Sequence, residues 1–221
     1  ITSVRDTGGR IDFIKKWQVA AQDKPTEAPR VMIAGPLIDG MPNVYDGSTP
    51  AVPPLSVGTG SVAEAIDLVD RLDSIGVDLI KAYEMLSPEQ FSAITERAKA
   101  KGLKVTGHVP LSMDVVAASN AGLNSMEHLR NLELSTASNA EELYNERKKL
   151  LAEQKNLPGS ELRSKIHDLQ RTVAYDNQDA AKAEEVLNVL AKNQTWQIPT
   201  LALNTGAVRR YFSRPDWVES F

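Results

Sequence analysis

The apolar positions of the chain follow two rhythms. Short runs with a period of two alternate with longer stretches in which apolar residues return every three or four positions, the pattern of parallel strands joined by crossover helices. Six strands are predicted: Ile1–Asp6 (ITSVRD), Arg30–Gly35 (RVMIAG), Val77–Tyr83 (VDLIKAY), Lys104–Val109 (KVTGHV), Leu123–His128 (LNSMEH) and Trp196–Leu201 (WQIPTL). The helices between them carry start signals. In SVAE, Ser61 and Glu64 make a capping box ahead of Ile66, Val69 and Leu72, which share one helical face. SPEQ (Ser87–Gln90) repeats the device with Pro88 at the first helical position, and Gly102 closes that helix.

Two connections are longer than packing needs. From Asp39 to Gly60 the chain is rich in Pro and Gly, and a loop of that length after a strand end is placed to cover a site. From about Asn139 to Asn193 lie several charged amphipathic helices, with Leu162, Ile166, Leu169 and Val173 on one stripe. This insertion reads either as a helical hairpin decorating the sheet or as a lid or subunit contact.

Composition narrows the function. The 221 residues, 42% apolar, suffice for one large domain or two small ones. A net charge of −4 with dispersed basic residues gives no footprint for nucleic acid or an anionic membrane. No run approaches the ~18 apolar residues of a membrane span. With no cysteine, disulfides, thiolate metal sites and a cysteine nucleophile are excluded, so any metal depends on His, carboxylate or a less usual donor.

In parallel β/α architectures chemistry gathers at the carboxyl ends of strands. The polar residues predicted there are Arg5, Asp6, Lys81, Tyr83, His108, Glu127, His128 and Thr200. Lys81 and Tyr83 alternate onto one face with Leu79 beneath them. A buried lysine needs an ion pair or another compensation, and a lone histidine at a strand end is compatible with a hydrogen-bonded structural role. Three consecutive strands ending in Lys81, His108 and His128 favour a site. Neutral imidazole binds zinc and similar divalent ions, and a desolvated lysine amine is a nucleophile or reacts with carbon dioxide to give an anionic carbamate able to bridge two metals. His167, among charged residues of the insertion, reads as solvent-facing and outside the site.

With these residues on successive strands, the chain resembles the amidohydrolase superfamily, and within it the branch of imidazolonepropionase-like enzymes and metal-dependent Xaa-Pro dipeptidases. The matching stretches are ITSVRDTGG, GVDLIKAYE, GLKVTGHVP, AGLNSMEHL and IPTL, for the second, fourth, fifth, sixth and seventh barrel strands. The resemblance implies an α/β fold, an incomplete (β/α)8 TIM barrel covering strands 2 to 7 as one domain over residues 1–221, with the helical insertion (139–193) between strands 6 and 7. It implies one or two divalent metals, zinc the first candidate, held by His108 and His128 with Lys81 as the carbamylated bridge. Tyr83 is then the substrate-binding residue, and the substrate a small molecule or dipeptide hydrolysed at a C–N bond, acyl-proline dipeptides leading.

The departures are equally specific. The family's first-strand His-x-His pair is absent, and so is its eighth-strand aspartate, since Asp216 sits in SRPDWVES with no strand around it. The chain begins at Ile1 and a complete barrel takes ~250 residues, so it reads as an internal fragment without its own general base. Such a fragment is expected to be inactive, to bind metal weakly and to self-associate through open barrel edges. Two other readings stay open: a barrel in which Lys81 acts as an aldolase-like Schiff-base lysine, and a non-catalytic binding module with structural histidines.

Overall fold

The computed structural model describes residues 1–154 and 156–201. In chain order its elements are β1 (Ser3–Arg5), α1 (Ile11–Gln22), β2 (Arg30–Met32), β3 (Leu37–Gly40), β4 (Ser56–Thr59), α2 (Val62–Ile75), β5 (Leu79–Ala82) and α3 (Pro88–Ala100). There follow β6 (Lys104–Gly107), α4 (Val115–Asn120), β7 (Ser125–Glu127), α5 (Leu132–Ser135), α6 (Ala140–Glu153), α7 (Gly159–Asp176), α8 (Ala180–Lys192) and β8 (Trp196–Ile198). The fold is thus α/β, and every strand pairing within its two sheets is parallel.

A six-stranded sheet has the order β4-β3-β5-β6-β7-β8, and β1 pairs with β2 in a separate ribbon. The two are joined where the Asp78 amide donates to the Ile33 carbonyl at 2.8 Å. The Asp78 carboxylate accepts from the Ile33 amide and from Gln18 of α1, which ties the junction to its helix. A further link crosses the interior: Arg5 on β1 donates from Nη2 to Glu127 Oε1 on β7 at 2.9 Å.

Strand alternation sorts the side chains into two layers. Ile80, Ala82, Val105 and Met126 face the helices, where they join Val69, Leu72, Phe91, Ile94, Val115 and Leu190 in the main core. The other face of the same strands is polar. Lys81 lies beside Thr106 and Thr106 beside Ser125 in register, and Ser125 Oγ, Thr106 Oγ1 and Glu127 form a hydrogen-bonded ladder. A buried polar layer is tolerated because each hydroxyl passes its bond to the next.

All six predicted strands are present and each is shorter than the apolar pattern suggests, β2, β6 and β8 at the carboxyl end only. The loop expected from Asp39 to Gly60 differs: Ser56–Thr59 forms β4 and pairs with β3 along its length. Asp39 organises the rest of that segment by accepting from the amides of Gly40 (3.0 Å), Val44 (2.9 Å) and Met85 (2.7 Å). The helix starts hold with one change. Ser87 and Gln90 complete a reciprocal capping box, whereas Glu64 reaches past Ser61 to the Gly60 amide, so Ser61 alone caps α2. Pro110 does not end the bonding between β5 and β6 segments, because the Leu111 amide still donates to the Glu84 carbonyl at 2.8 Å.

The insertion is helical as expected, but its buried stripe is rotated. Leu162, Ile166, Gln170 and Ala174 face inward, while Leu169 and Val173 are 49% and 42% exposed. The inward face of α7 meets a polar centre rather than a purely apolar one, and hydrogen bonding outweighs the apolar periodicity there. Among these helices α8 joins the main core through Val186 and Leu190, while Leu162 and Ile166 of α7 pack with Leu111 just beyond β6. Gly159, at the start of α7, approaches the Pro42 and Asn43 carbonyls so closely that an added Cβ would stand 2.3 and 2.4 Å from their oxygens. The α6–α7 hairpin therefore caps the carboxyl ends of the strands. No helix of the described residues is long and apolar enough to cross a membrane.

Candidate active site

Lys81, at the carboxyl half of β5, is 2% exposed. It makes no hydrogen bond or ion pair among the described residues, so the buried amine lacks the partner that an ordinary structural lysine would require. Burial is the main force on it: the Lys81 amine is pulled down to about 8, against the opposing pull of the Glu127 carboxylate.

His108 follows β6 and His128 follows β7. Their rings meet edge to face with centroids 5.0 Å apart. Each ring is oriented through Nδ1, His108 by Glu84 Oε1 at 2.5 Å and His128 by Thr200 Oγ1 at 2.6 Å. Nε2 of both rings makes no hydrogen bond among the described residues. His128 and Thr200 both have positive φ, 60° and 46°, in the left-handed region uncommon for residues other than glycine. Burial pulls His108 down to about 3 despite its carboxylate partner, so its imidazole is neutral. His128 is also lowered, by burial and then by the charge of Lys81. Tyr83 stacks beside them, 4.4 Å from the His108 ring centroid and 5.7 Å from Tyr45. Burial, and next the Glu84 charge, push its phenol up, so it is a hydrogen-bond donor at neutral pH.

The centre also contains residues that local pattern did not reveal. Glu84 is fully buried and accepts from His108 Nδ1 and, at 2.8 Å, from His167 Nε2. Arg163 Nε stands 3.1 Å and Arg130 Nε 3.8 Å from Glu84 Oε1. Burial by itself raises the Glu84 carboxyl, but the bonds from His108 and His167 and the Arg163 charge hold it well below the usual carboxylate range. His167 is thus 6% exposed and part of the centre, not solvent-facing. Its charged neighbours Lys165 and Asp168 occupy other faces of α7, and the spacing of Arg163 and His167, one turn apart, is the signal that pairs them.

The structure therefore brings together Lys81, Tyr83, His108 and His128, along with Glu127 and Thr200 from the neighbouring strand ends. Asp216 and the chain beyond Leu201 lie outside the described residues. Among the described residues, no three His, Asp or Glu side chains gather as a ready metal cage. Two neutral imidazoles with free Nε2 atoms suit a divalent ion, and their fixed Nδ1 partners are the supports such ligands use. The unpaired amine of Lys81 contributes an anionic donor only after carbamylation.

No protein-family model matches the chain. No curated protein matches it either. Solved structures do. It is similar to a prolidase complexed with N-methylphosphonate-L-proline, at 18% identity with a TM-score of 0.53 over 89% of this chain and 53% of that one. An amidohydrolase matches at 17% identity with a TM-score of 0.51, over the same 89% and 53%. The chain thus spans about half the length of the structures it matches. At these identities the likeness concerns the fold alone, and in its parallel strands and intervening helices the chain resembles about half of that prolidase and of that amidohydrolase structure.

Proposed function

We propose that the chain is the central portion, strands 2 to 7, of an incomplete amidohydrolase-type (β/α)8 barrel, and that the whole protein is a metal-dependent hydrolase of C–N bonds. Acyl-proline dipeptides are the leading substrates. The observation that carries this reading is the buried, unpaired amine of Lys81 beside two imidazoles whose Nε2 atoms are free. His108 and His128 would hold a divalent ion, zinc first, with Lys81 joining as its carbamate. When bound, the ion lowers the pKa of a water molecule and polarises the scissile carbonyl.

The chain's own residues supply the remainder. Glu84 and Thr200 fix the two imidazoles, the Ser125–Thr106–Glu127 ladder keeps the layer beneath the lysine rigid, and the α6–α7 hairpin limits water. Tyr83, kept protonated, donates a hydrogen bond to a substrate carboxylate. By the same analogy a general base and further metal ligands complete the site in the whole protein.

The test uses full-length protein and a panel of acyl-proline dipeptides. Hydrolysis should fall on chelation, return with zinc, and be lost in Lys81→Ala. Activity indifferent to chelation would overturn the reading. The Schiff-base alternative shares the free amine as its support, and borohydride trapping of a carbonyl substrate on Lys81 would favour it instead.

A further inference from the structure

An arginine that serves the fold is hydrogen-bonded to its acid. Arg97 holds Asp70 through Nε and Nη2 at 2.7 and 2.8 Å, Arg5 holds Glu127 at 2.9 Å, and Arg171 holds Glu133 at 3.1 Å. Arg130 and Arg163 differ. Their Nε atoms stand 3.8 and 3.1 Å from Glu84 Oε1, yet both are buried and neither makes a hydrogen bond among the described residues. The Glu84 oxygens are already engaged, Oε1 with His108 Nδ1 and Oε2 with His167 Nε2. The Nη atoms of the two arginines also make no hydrogen bond among the described residues, and they keep the solvent access that Nε lacks.

Both heads are held in place. Arg130 sits in the turn between β7 and α5, where His128, Leu129 and Asn131 have φ of 60°, 54° and 66°. Left-handed backbone at several non-glycine residues of one turn is strained, and such strain clusters at working segments. Asn131 pins the turn by donating to the Val109 carbonyl at 2.9 Å. Arg163 is carried by α7, seated through Leu162, Ile166 and Leu111. The Arg163 charge reaches the Tyr83 phenol and the Arg130 charge reaches Lys81 and His128, so both guanidiniums border the strand-end mouth. They border it further out than Tyr83 does: Tyr83 is 3% exposed, the side chains of Arg163 and Arg130 17% and 19%.

Two neighbouring guanidiniums with open forks suit a planar oxyanion, above all a carboxylate. Glu84 is fully buried, so a ligand entering from solvent meets the Nη groups and not the acid. Were Glu84 uncharged, the two cations would lack even that counter-charge and favour an anion more strongly, so the need for one does not hang on the state of the acid. We propose that Arg130 and Arg163 form a rim subsite for a carboxylate of the ligand, further out than the one Tyr83 takes, so that the substrates carry a second acidic group. The subsite rests on the reading of the strand-end mouth as the place where a C–N substrate binds. It gives the α6–α7 hairpin a part in substrate selection, through Arg163.

The experiment is calorimetric titration of the full-length protein, stripped of metal so that no ion holds the probes, with glutarate and with butyrate, which differ by a terminal carboxylate. Glutarate should bind ~10–100-fold more tightly, the effect of hydrogen bonds between charged groups. Arg163→Gln and Arg130→Gln should each bring glutarate down toward butyrate. Glutarate that binds no more tightly than butyrate, or does not bind, overturns the proposal, and neither result needs a variant to fold. Folded arginine variants with unchanged glutarate affinity overturn it as well. Failure of the hydrolase reading shows elsewhere, as acyl-proline turnover indifferent to chelation, and leaves the ratio of the two affinities untouched.

Discussion

Replacing Gly107 by alanine tests how closely the strands that carry Lys81 and His108 are held. Gly107 pairs with Ala82 in register and has φ +151°. A Cβ built there would stand 2.1 Å from the Ala82 carbonyl oxygen and 2.9 Å from its carbonyl carbon. The oxygen contact falls about 1 Å short of normal separation, so the two backbones must part. Overpacking of this kind costs ~1–3 kcal/mol and a non-glycine residue in that backbone region a further ~1–2 kcal/mol, together about 3 kcal/mol. In urea, with a slope near ~2 kcal/mol/M, the midpoint should fall by about 1.5 M. Gly102 is the control, having φ +74° but no atom within 4 Å of the place an added Cβ would take. Gly102→Ala should cost about 1 kcal/mol, the backbone part alone. Equal losses for the two variants, or a Gly107→Ala midpoint within error of wild type, would refute the close-approach argument.

Other outcomes follow from single groups. Burial pushes the Asp39 carboxyl up from 3.8 to about 7, against its three amide donors. The folded state therefore holds this proton more tightly than the unfolded one, and the contribution, complete below the unfolded value, is lost as pH rises through the folded value. Relative to Asp39→Asn, whose offset is independent of pH, wild-type stability should fall by up to ~4 kcal/mol from pH 4 to 7 in chemical denaturation, and a flat or rising difference would contradict this. Lys81→Met should remove zinc binding while leaving stability equal or higher by ~1 kcal/mol, because it replaces an unpaired buried amine by an apolar chain. A large loss of stability would reveal a structural lysine. Ser87→Ala breaks the capping box of α3, in which Ser87 Oγ accepts from the Gln90 amide at 3.2 Å, and should lower the thermal midpoint by an amount equivalent to ~1 kcal/mol.

The strands and the identity of Lys81, His108 and His128 are legible in sequence for a local reason. Each closes a short apolar run, and a parallel sheet aligns such ends whatever the helices between them do. Glu84 and His167 are not legible in the same way, because their bond joins positions 83 residues apart and neither residue's neighbours record it. The charged surroundings of His167 describe the outer faces of α7 and are silent about its inner one. Leu169 and Val173 mislead for the complementary reason: their spacing fits an apolar stripe, but the face that pairs with Glu84 through His167 and with Arg147 through Gln170 wins the interior. The Asp39–Gly60 stretch hides β4 because Ser56–Thr59 (SVGT) has little apolar content, and its pairing with β3 is fixed by the fold around Asp39.

The convergence on Glu84 bears on the order in which the chain folds. Its partners are residues 108, 130, 163 and 167, so the carboxylate is satisfied only after a long stretch of chain has returned to it. Closing such loops is slow, and desolvating the charge before its partners arrive is unfavourable. Until α7 docks, Glu84 lacks Arg163 and His167, two of its four charged or hydrogen-bonding neighbours. A chain made only as far as residue 162 therefore lacks two of the groups that surround Glu84, and His128 waits further still for Thr200.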